Sequence, residues 1–137
     1  MTPLAAAAAR EIEELHGVFV ELFCGRSRDC SRCAAAFSAH FEMVTPDGKN
    51  HDRAGVLLAL ERARALSGFS IEISHIRSLW EDQTSVLIQY VEQQYRDGKT
   101  SRRRSTALFE AEVKAPCGVV WRHLHETWMQ TPNREQG

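Results

Sequence analysis

The sequence contains no apolar run approaching the roughly 20 residues that cross a bilayer, so no membrane helix is expected from it. It also lacks an excess of charge. Its 17 basic and 18 acidic side chains leave a net charge of −1, which gives no positive field to gather nucleic acid by counterion release. The only dense basic run is Arg102, Arg103 and Arg104, and its neighbours are neutral. There is no Walker loop, dinucleotide fingerprint, nucleophile elbow or histidine–glutamate metal helix, so the reaction classes those motifs announce have no support. Asp47-Gly48 and Asp97-Gly98 are turn pairs rather than phosphate cradles. Cysteine is scarce: four in 137 residues do not make a disulfide scaffold. Internal repeats and long linkers are absent too.

What is present suits one domain. An apolar fraction of 43% and a charged fraction of 26% supply one core and an ordinary polar surface. We expect a single domain over residues 1–130 and a polar tail over 131–137. The alanine-rich start, Met1 to Ala9, lacks a basic leader and runs into Arg10, Glu11, Glu13 and Glu14. It is read as the beginning of a helix, and a cytoplasmic protein is expected.

Ile12, Leu15, Phe19, Leu22 and Phe23 recur at helical spacing, with His16 on the same stripe, and Cys24-Gly25 ends that helix. Asp29 or Ser31 caps a short second helix to about Ala36, and Phe37 to Val44 reads as a strand closed by the turn Thr45-Pro46-Asp47-Gly48. A third helix, capped by Asn50 or Asp52, carries Val56, Leu57, Leu60, Ala63 and Leu66 and ends at Ser67-Gly68. The second half changes to a period of two. Strands are expected over Phe69 to Leu79, Ser85 to Tyr95, Thr100 to Val113 and Val119 to Met129, with Arg96-Asp97-Gly98-Lys99 as a hairpin turn.

Helices first and long strands afterwards predict an α+β fold: a cone-shaped, curved, mostly antiparallel sheet with three helices on its concave face. Both faces of the late strands carry apolar groups. Leu87 and Val91 oppose Val86, Ile88 and Tyr90, while Leu124 and Trp128 oppose Trp121 and Met129. A sheet apolar on both sides needs two covers, so a homodimer through the outer face, with Trp128 in the interface, is expected.

Three local patterns resemble a known family. They are Phe41-Glu42-Met43-Val44-Thr45-Pro46-Asp47-Gly48; Arg104-Ser105-Thr106-Ala107-Leu108-Phe109; and Trp121-Arg122-His123-Leu124-His125-Glu126-Thr127. Together with the order of elements, they resemble the nuclear transport factor 2-like (cystatin-like α+β) superfamily, in its SnoaL-like group. The likeness extends to the association domain of calcium/calmodulin-dependent protein kinase II and its small bacterial relatives, and spans about Ile12 to Met129. The resemblance implies a pocket between helices and sheet. It also implies pocket arginines on late strands, one of which falls on Ala107 here, beside Arg102 and Arg104. Enzyme members use an acidic residue or a histidine–aspartate pair as base, and no such pair maps onto this chain residue by residue.

Strict alternation gives the candidate site. Tyr90 and Glu92 share a face of one strand, Arg102, Arg104 and Thr106 a face of the next, and Trp121, His123, His125 and Thr127 a face of the last. Such a pocket would bind a polar or anionic organic ligand through Tyr90, Glu92, Arg102, Arg104, Thr106 and Trp121, with His125 or His123 as proton shuttle. A one-residue slip would bring in Arg103, Arg122 and Glu126 instead, which makes Glu126 the reserve acid or base. His40 and Glu42 are candidates for the pocket mouth. The expected function is small-molecule binding. The alternatives are a SnoaL-like cyclase or isomerase working through a pocket histidine, and a homo-oligomeric assembly module.

Cys30 and Cys33 form a C-x-x-C at a helix start, where the helix field lowers a thiol's pKa. With Cys24 and His40 they are candidate zinc ligands. Structural zinc normally takes two paired ligand motifs and this chain has one, so they are read as semi-buried thiols, and no metal or cofactor is expected.

Overall fold

The computed structural model describes residues 1–130; the expected tail lies outside the described residues. Helix α1 (Pro3–Phe23) starts with Pro3 in its first turn and with the Thr2 hydroxyl accepting the Ala5 amide at 3.2 Å. Its buried stripe is Ala5, Ala8, Ile12, Leu15, His16 and Leu22, with one carboxylate, Glu11. Gly25 follows at φ +75, and a Cβ there would stand 2.9 Å from that of Ala65. That position needs glycine for both its conformation and its space.

Helix α2 (Ser31–Ala36) passes directly into strand β1 (Phe37–Val44), whose limits match the sequence reading. Asp29 accepts the Ser31 amide at 2.9 Å. A short strand β2 (Asn50–Asp52), not anticipated, pairs back on β1. Asp52 caps helix α3 (Arg53–Glu61) by accepting the Gly55 amide at 2.8 Å. This helix stops well short of the expected Leu66. The chain leaves it to seat the Leu66 amide on the Phe23 carbonyl at 2.7 Å and Ala65 against Gly25, closing off the end of α1.

Four long strands follow: β3 (Ser70–Glu81), β4 (Ser85–Arg96), β5 (Lys99–Ala111) and β6 (Val119–Trp128). The β4–β5 hairpin turns on Asp97 and Gly98, both at positive φ, as its turn chemistry requires. The six-stranded sheet has the order β2-β1-β6-β5-β4-β3, with β1 parallel to β6 and the other pairs antiparallel. The architecture is therefore α+β with an open mixed sheet and helices drawn from the N-terminal half. Helix α1 packs on β3, β4 and β6, and α3 packs on β1 and β2. The core between them holds Ile12, Leu15, Phe41, Ile88, Tyr90, Phe109 and Trp121.

Strand β6 does not keep one alternation. Phe109 pairs with Trp121, yet Leu108 pairs with His123, so Arg122 is an extra residue in the ladder. Before this bulge Val119 and Trp121 face the helices; after it Leu124 and Glu126 are the buried positions. The strict alternation expected from sequence fails here, and this decides which side chains reach the interior.

Candidate functional site

Between α1, α3 and the concave side of the sheet lies a cavity of about 290 Å³. Phe19 and Phe23 of α1, Phe37 and Phe41 of β1, and Val56 and Leu60 of α3 supply its apolar wall. Its polar end is built by His16, Glu92, Gln94, Arg103 and Glu126. Each strand residue reaches it because it shares the helix-facing side with a core residue: Glu92 with Tyr90, Arg103 with Ser105, and Glu126 with Leu124.

His16 is held at both nitrogens. Nδ1 donates to the Ile12 carbonyl at 2.7 Å, which leaves Nε2 towards Glu92 Oε1 at 3.0 Å. Facing a carbonyl on one side and a carboxylate on the other, both ring nitrogens meet acceptors, which favours the doubly protonated ring. Burial opposes that charge, but the field and hydrogen bond of Glu92 outweigh it and raise the pKa of His16. For Glu92, burial likewise favours the neutral acid. The His16 charge and hydrogen bond prevail, aided by Arg103 and by the Gln94 amide donating at 2.6 Å, and hold the carboxyl well below its usual range.

Glu126 behaves oppositely. Burial and the nearby Glu92 charge raise its pKa, against the pull of Arg103 and His16. Its contacts are long: Arg103 Nη1 donates at 3.4 Å and the Ser105 hydroxyl at 3.4 Å. Arg103 lies over the Trp128 ring, 4.8 Å from its centroid, and its buried Nε has no partner among the described residues. The buried Tyr90 hydroxyl likewise has no partner of good hydrogen-bond geometry among the described residues. Burial, then Glu92 and Glu126, push its pKa well up, so it stays a neutral donor.

Behind the cavity, Trp121 donates its indole N–H to Glu11 Oε2 at 3.0 Å, and Arg32 grips the same carboxylate at 2.6 and 3.3 Å. This buried ion pair ties α1, α2 and β6 together and sets the plane of the Trp121 ring against His16 and Tyr90.

The expected site residues divide between two faces. Glu92, Trp121 and Glu126 line the cavity, while Tyr90 packs edge-on against His16 without lining it. Arg102, Arg104 and Thr106 lie on the outer face, with Arg102 and Arg104 in a separate groove. His123 and His125 follow them there, because the bulge at Arg122 turns both outward. Arg103, expected inside only after a slip, is inside without one, since β5 keeps its register and presents its odd-numbered residues inward. The same bulge corrects the expectation for Trp128. It pairs with Arg103 on the helix-facing side of the sheet rather than the outer one, where it is 45% exposed and donates to Asp47 at 3.2 Å, and Leu124 is in the core. His40 is exposed, and Glu42 sits in a shallow depression with Asn50, His51 and Asp52 rather than in the cavity.

The sequence reading missed His16, Gln94 and the four phenylalanines as site residues. The signal for His16 was its place on the apolar stripe of α1; nothing local named its partner 76 positions away. The thiols need a correction as well. Cys30 is raised by burial and nearby acids, and burial pushes Cys33 up to about 12. Helix α2 has six residues, and Cys33 lies fully buried within it, so desolvation overrides the helix field. Among the described residues no group of three or more His, Cys, Asp or Glu side chains is arranged to hold a metal ion, and no helix is long and apolar enough to cross a membrane.

An open mixed sheet with helices over its concave face and a cavity between them is the nuclear transport factor 2-like, cystatin-like fold. An NTF2-like protein of unknown function from Pseudomonas aeruginosa superposes with a TM-score of 0.82 at 28% identity, covering 90% of this chain and 99% of that one. The CaMKII hub of S. rosetta gives a TM-score of 0.76 at 11% identity over 90% of this chain and 95% of its own. An uncharacterized cystatin-like-fold protein from Caulobacter vibrioides gives 0.65 at 17% identity, over 93% of each chain. No protein-family model matches the sequence, and no curated protein does.

Proposed function

We propose that this chain is a small-molecule-binding domain whose ligand has an apolar, largely flat body and an anionic or carbonyl head. The observation that carries this reading is Arg103. Its guanidinium lies over Trp128 at an aromatic-walled cavity of about 290 Å³, and among the described residues its buried Nε has no acceptor and its Nη1 meets Glu126 at 3.4 Å. A buried donor without an acceptor is costly, and a ligand oxygen would satisfy it. With His16 and Arg103 positive, Glu92 negative and Glu126 raised towards its neutral form, that end of the cavity favours negative charge. The volume suits a ligand at the small end of those that fill such pockets.

A thermal-shift screen with aromatic and aliphatic carboxylates and their neutral amides tests the proposal. Selective binding to the native state raises the melting temperature. We expect carboxylates to raise it in the parent and in His125→Ala, and to lose that effect in Arg103→Ala. A panel without any shift, or one in which Arg103→Ala responds like the parent, would overturn it.

A second reading is assembly. Trp80 is 53% and Leu79 42% exposed, Trp80 faces outward beside Leu87 and Leu108, and one of the similar folds is a CaMKII hub. An outer-face homodimer would cover this patch. A cyclase- or isomerase-like activity would fall to Glu126 as acid or base, because both nitrogens of His16 are engaged.

A further inference from the structure

The outer face of the sheet is chemically divided along its strands. One end carries Trp80, Leu87 and Leu108 in neighbouring positions. The other holds a groove of about 310 Å³ lined by His75, Arg77, Gln89, Arg102 and Arg104, with Tyr90, Val91 and Met129. Among the described residues no acidic side chain lines it. Among the described residues, none of its three arginines forms an ion pair. Three unneutralised guanidiniums in one recess stand out in a chain whose net charge is −1.

The backbone builds this grouping. Arg102 and Arg104 lie two apart on β5, opposite Gln93 and Val91 of β4, so both point outward. Arg77 reaches the same recess from β3, opposite Gln89, because the pairing of β3 with β4 shifts between Ser74 and Arg77. His75, at that shift, sits at φ +56, a strained conformation for a residue other than glycine. The bulge sends Ile76 to the core and leaves His75 and Arg77 to the groove. Arg77 donates to Gln89 Oε1 at 3.0 Å, and the same amide donates to Thr106 at 3.2 Å, which fixes the Arg77 side chain over the sheet. Arg102 contributes a buried Nε that has no partner among the described residues. The acid nearest by register is Glu72, in the row Glu72–Gln93–Arg102, and it is outside the groove.

We infer that this groove is an anion site, separate from the interior cavity, for a small ligand bearing two or more phosphate or carboxylate groups. Guanidinium forks match the paired oxygens of either group. Arg77, opposite Gln89, and Arg102, opposite Gln93, stand about 10 Å apart across the sheet and about 13 Å apart along it, with Arg104, opposite Val91, between them, so the three forks can share the separate anionic groups of one small ligand. The ligand is a small molecule rather than a nucleic acid, since three arginines gathered in one recess are a compact site and not a stripe for a phosphate backbone.

Isothermal titration of the whole chain with pyrophosphate and, separately, citrate tests this. The parent should bind at least one of them, more weakly as sodium chloride is added. Arg102→Gln/Arg104→Gln should weaken that binding about tenfold or more, and Arg104→Gln alone, at an exposed position, should weaken it in part. Arg103→Gln, which alters only the interior cavity, should bind as the parent does. Preference for pyrophosphate assigns a phosphate ligand, and preference for citrate a carboxylate one. Absence of binding by both anions, unchanged affinity in Arg104→Gln, or loss in Arg103→Gln would each overturn the inference. The first two outcomes leave the interior-cavity reading standing.

Discussion

His16 Nε2 and Glu92 Oε1 are 3.0 Å apart, and both side chains are about 5% exposed. The pair joins the middle of α1 to the middle of β4, at the polar end of an otherwise aromatic cavity. Buried pairs of this kind add little over a well-packed apolar replacement, yet breaking one strands a charge.

Glu92→Ala is therefore expected to cost about 3–5 kcal/mol in urea unfolding. The pH dependence follows from two opposite shifts. His16 is raised, so its contribution is complete below the ordinary imidazole value of 6.5 and fades as pH climbs through its folded pKa. Glu92 is lowered, so its contribution holds above the ordinary carboxyl value of 4.5 and fades as pH falls through its folded pKa. Glu126, raised, adds a further loss on the alkaline side of 4.5. Urea midpoints measured from about pH 5 to 9 should decline at the alkaline end, and less steeply in His16→Phe. A parent and variant with parallel profiles would deny His16 its charge.

Arg32→Ala leaves the Glu11 carboxylate, itself fully buried, with only the Trp121 N–H as a close partner. A loss of about 3–5 kcal/mol is expected. Arg32→Ala/Glu11→Gln should recover part of it, because the second change removes the stranded charge. Chemical denaturation of both variants checks this.

Cys33 should resist alkylation in the folded protein at neutral pH, since burial pushes its thiol up to about 12 and the thiolate is the reactive form. Cys24 and Cys30 are partly exposed and should react first. Peptide mass spectrometry after brief iodoacetamide treatment, with and without urea, gives the order.

If copies of the chain associate through the outer face, Trp80→Glu should shift sedimentation towards monomer. Trp128→Glu should leave the assembly unchanged, because Trp128 stacks under Arg103 and bonds to Asp47. A dimer that survives Trp80→Glu excludes the patch around Leu87 and Leu108 as its interface.

Much of the architecture was legible because it rests on local chemistry. The Asp97-Gly98 hairpin and the limits of β1 follow from turn residues and alternation. The division of the site was not legible, because it depends on one inserted residue. Arg122 is neither glycine nor proline, and nothing around it announces a bulge, yet it exchanges His123 and His125 for Leu124 and Glu126 as the inward-facing residues. Glu11 was missed for a different reason. It follows Ala8 by three positions and precedes Leu15 by four, on the apolar stripe, where a carboxylate is tolerable only with a cation that the sequence places 21 residues away. Helix α3 was read too long because its apolar spacing persists past Glu61, while the backbone breaks to serve the end of α1.

The three tryptophans sit in three different settings: Trp80 on the surface, Trp128 beneath a guanidinium, and Trp121 1% exposed with its ring centroid 6.2 Å from that of His16. Trp121 therefore gives the protein an internal optical reporter. A protonated imidazole quenches indole emission at close range, so blue-shifted fluorescence from the buried ring should brighten as His16 loses its proton. Any molecule entering beside Trp121 would perturb the same band without a label attached.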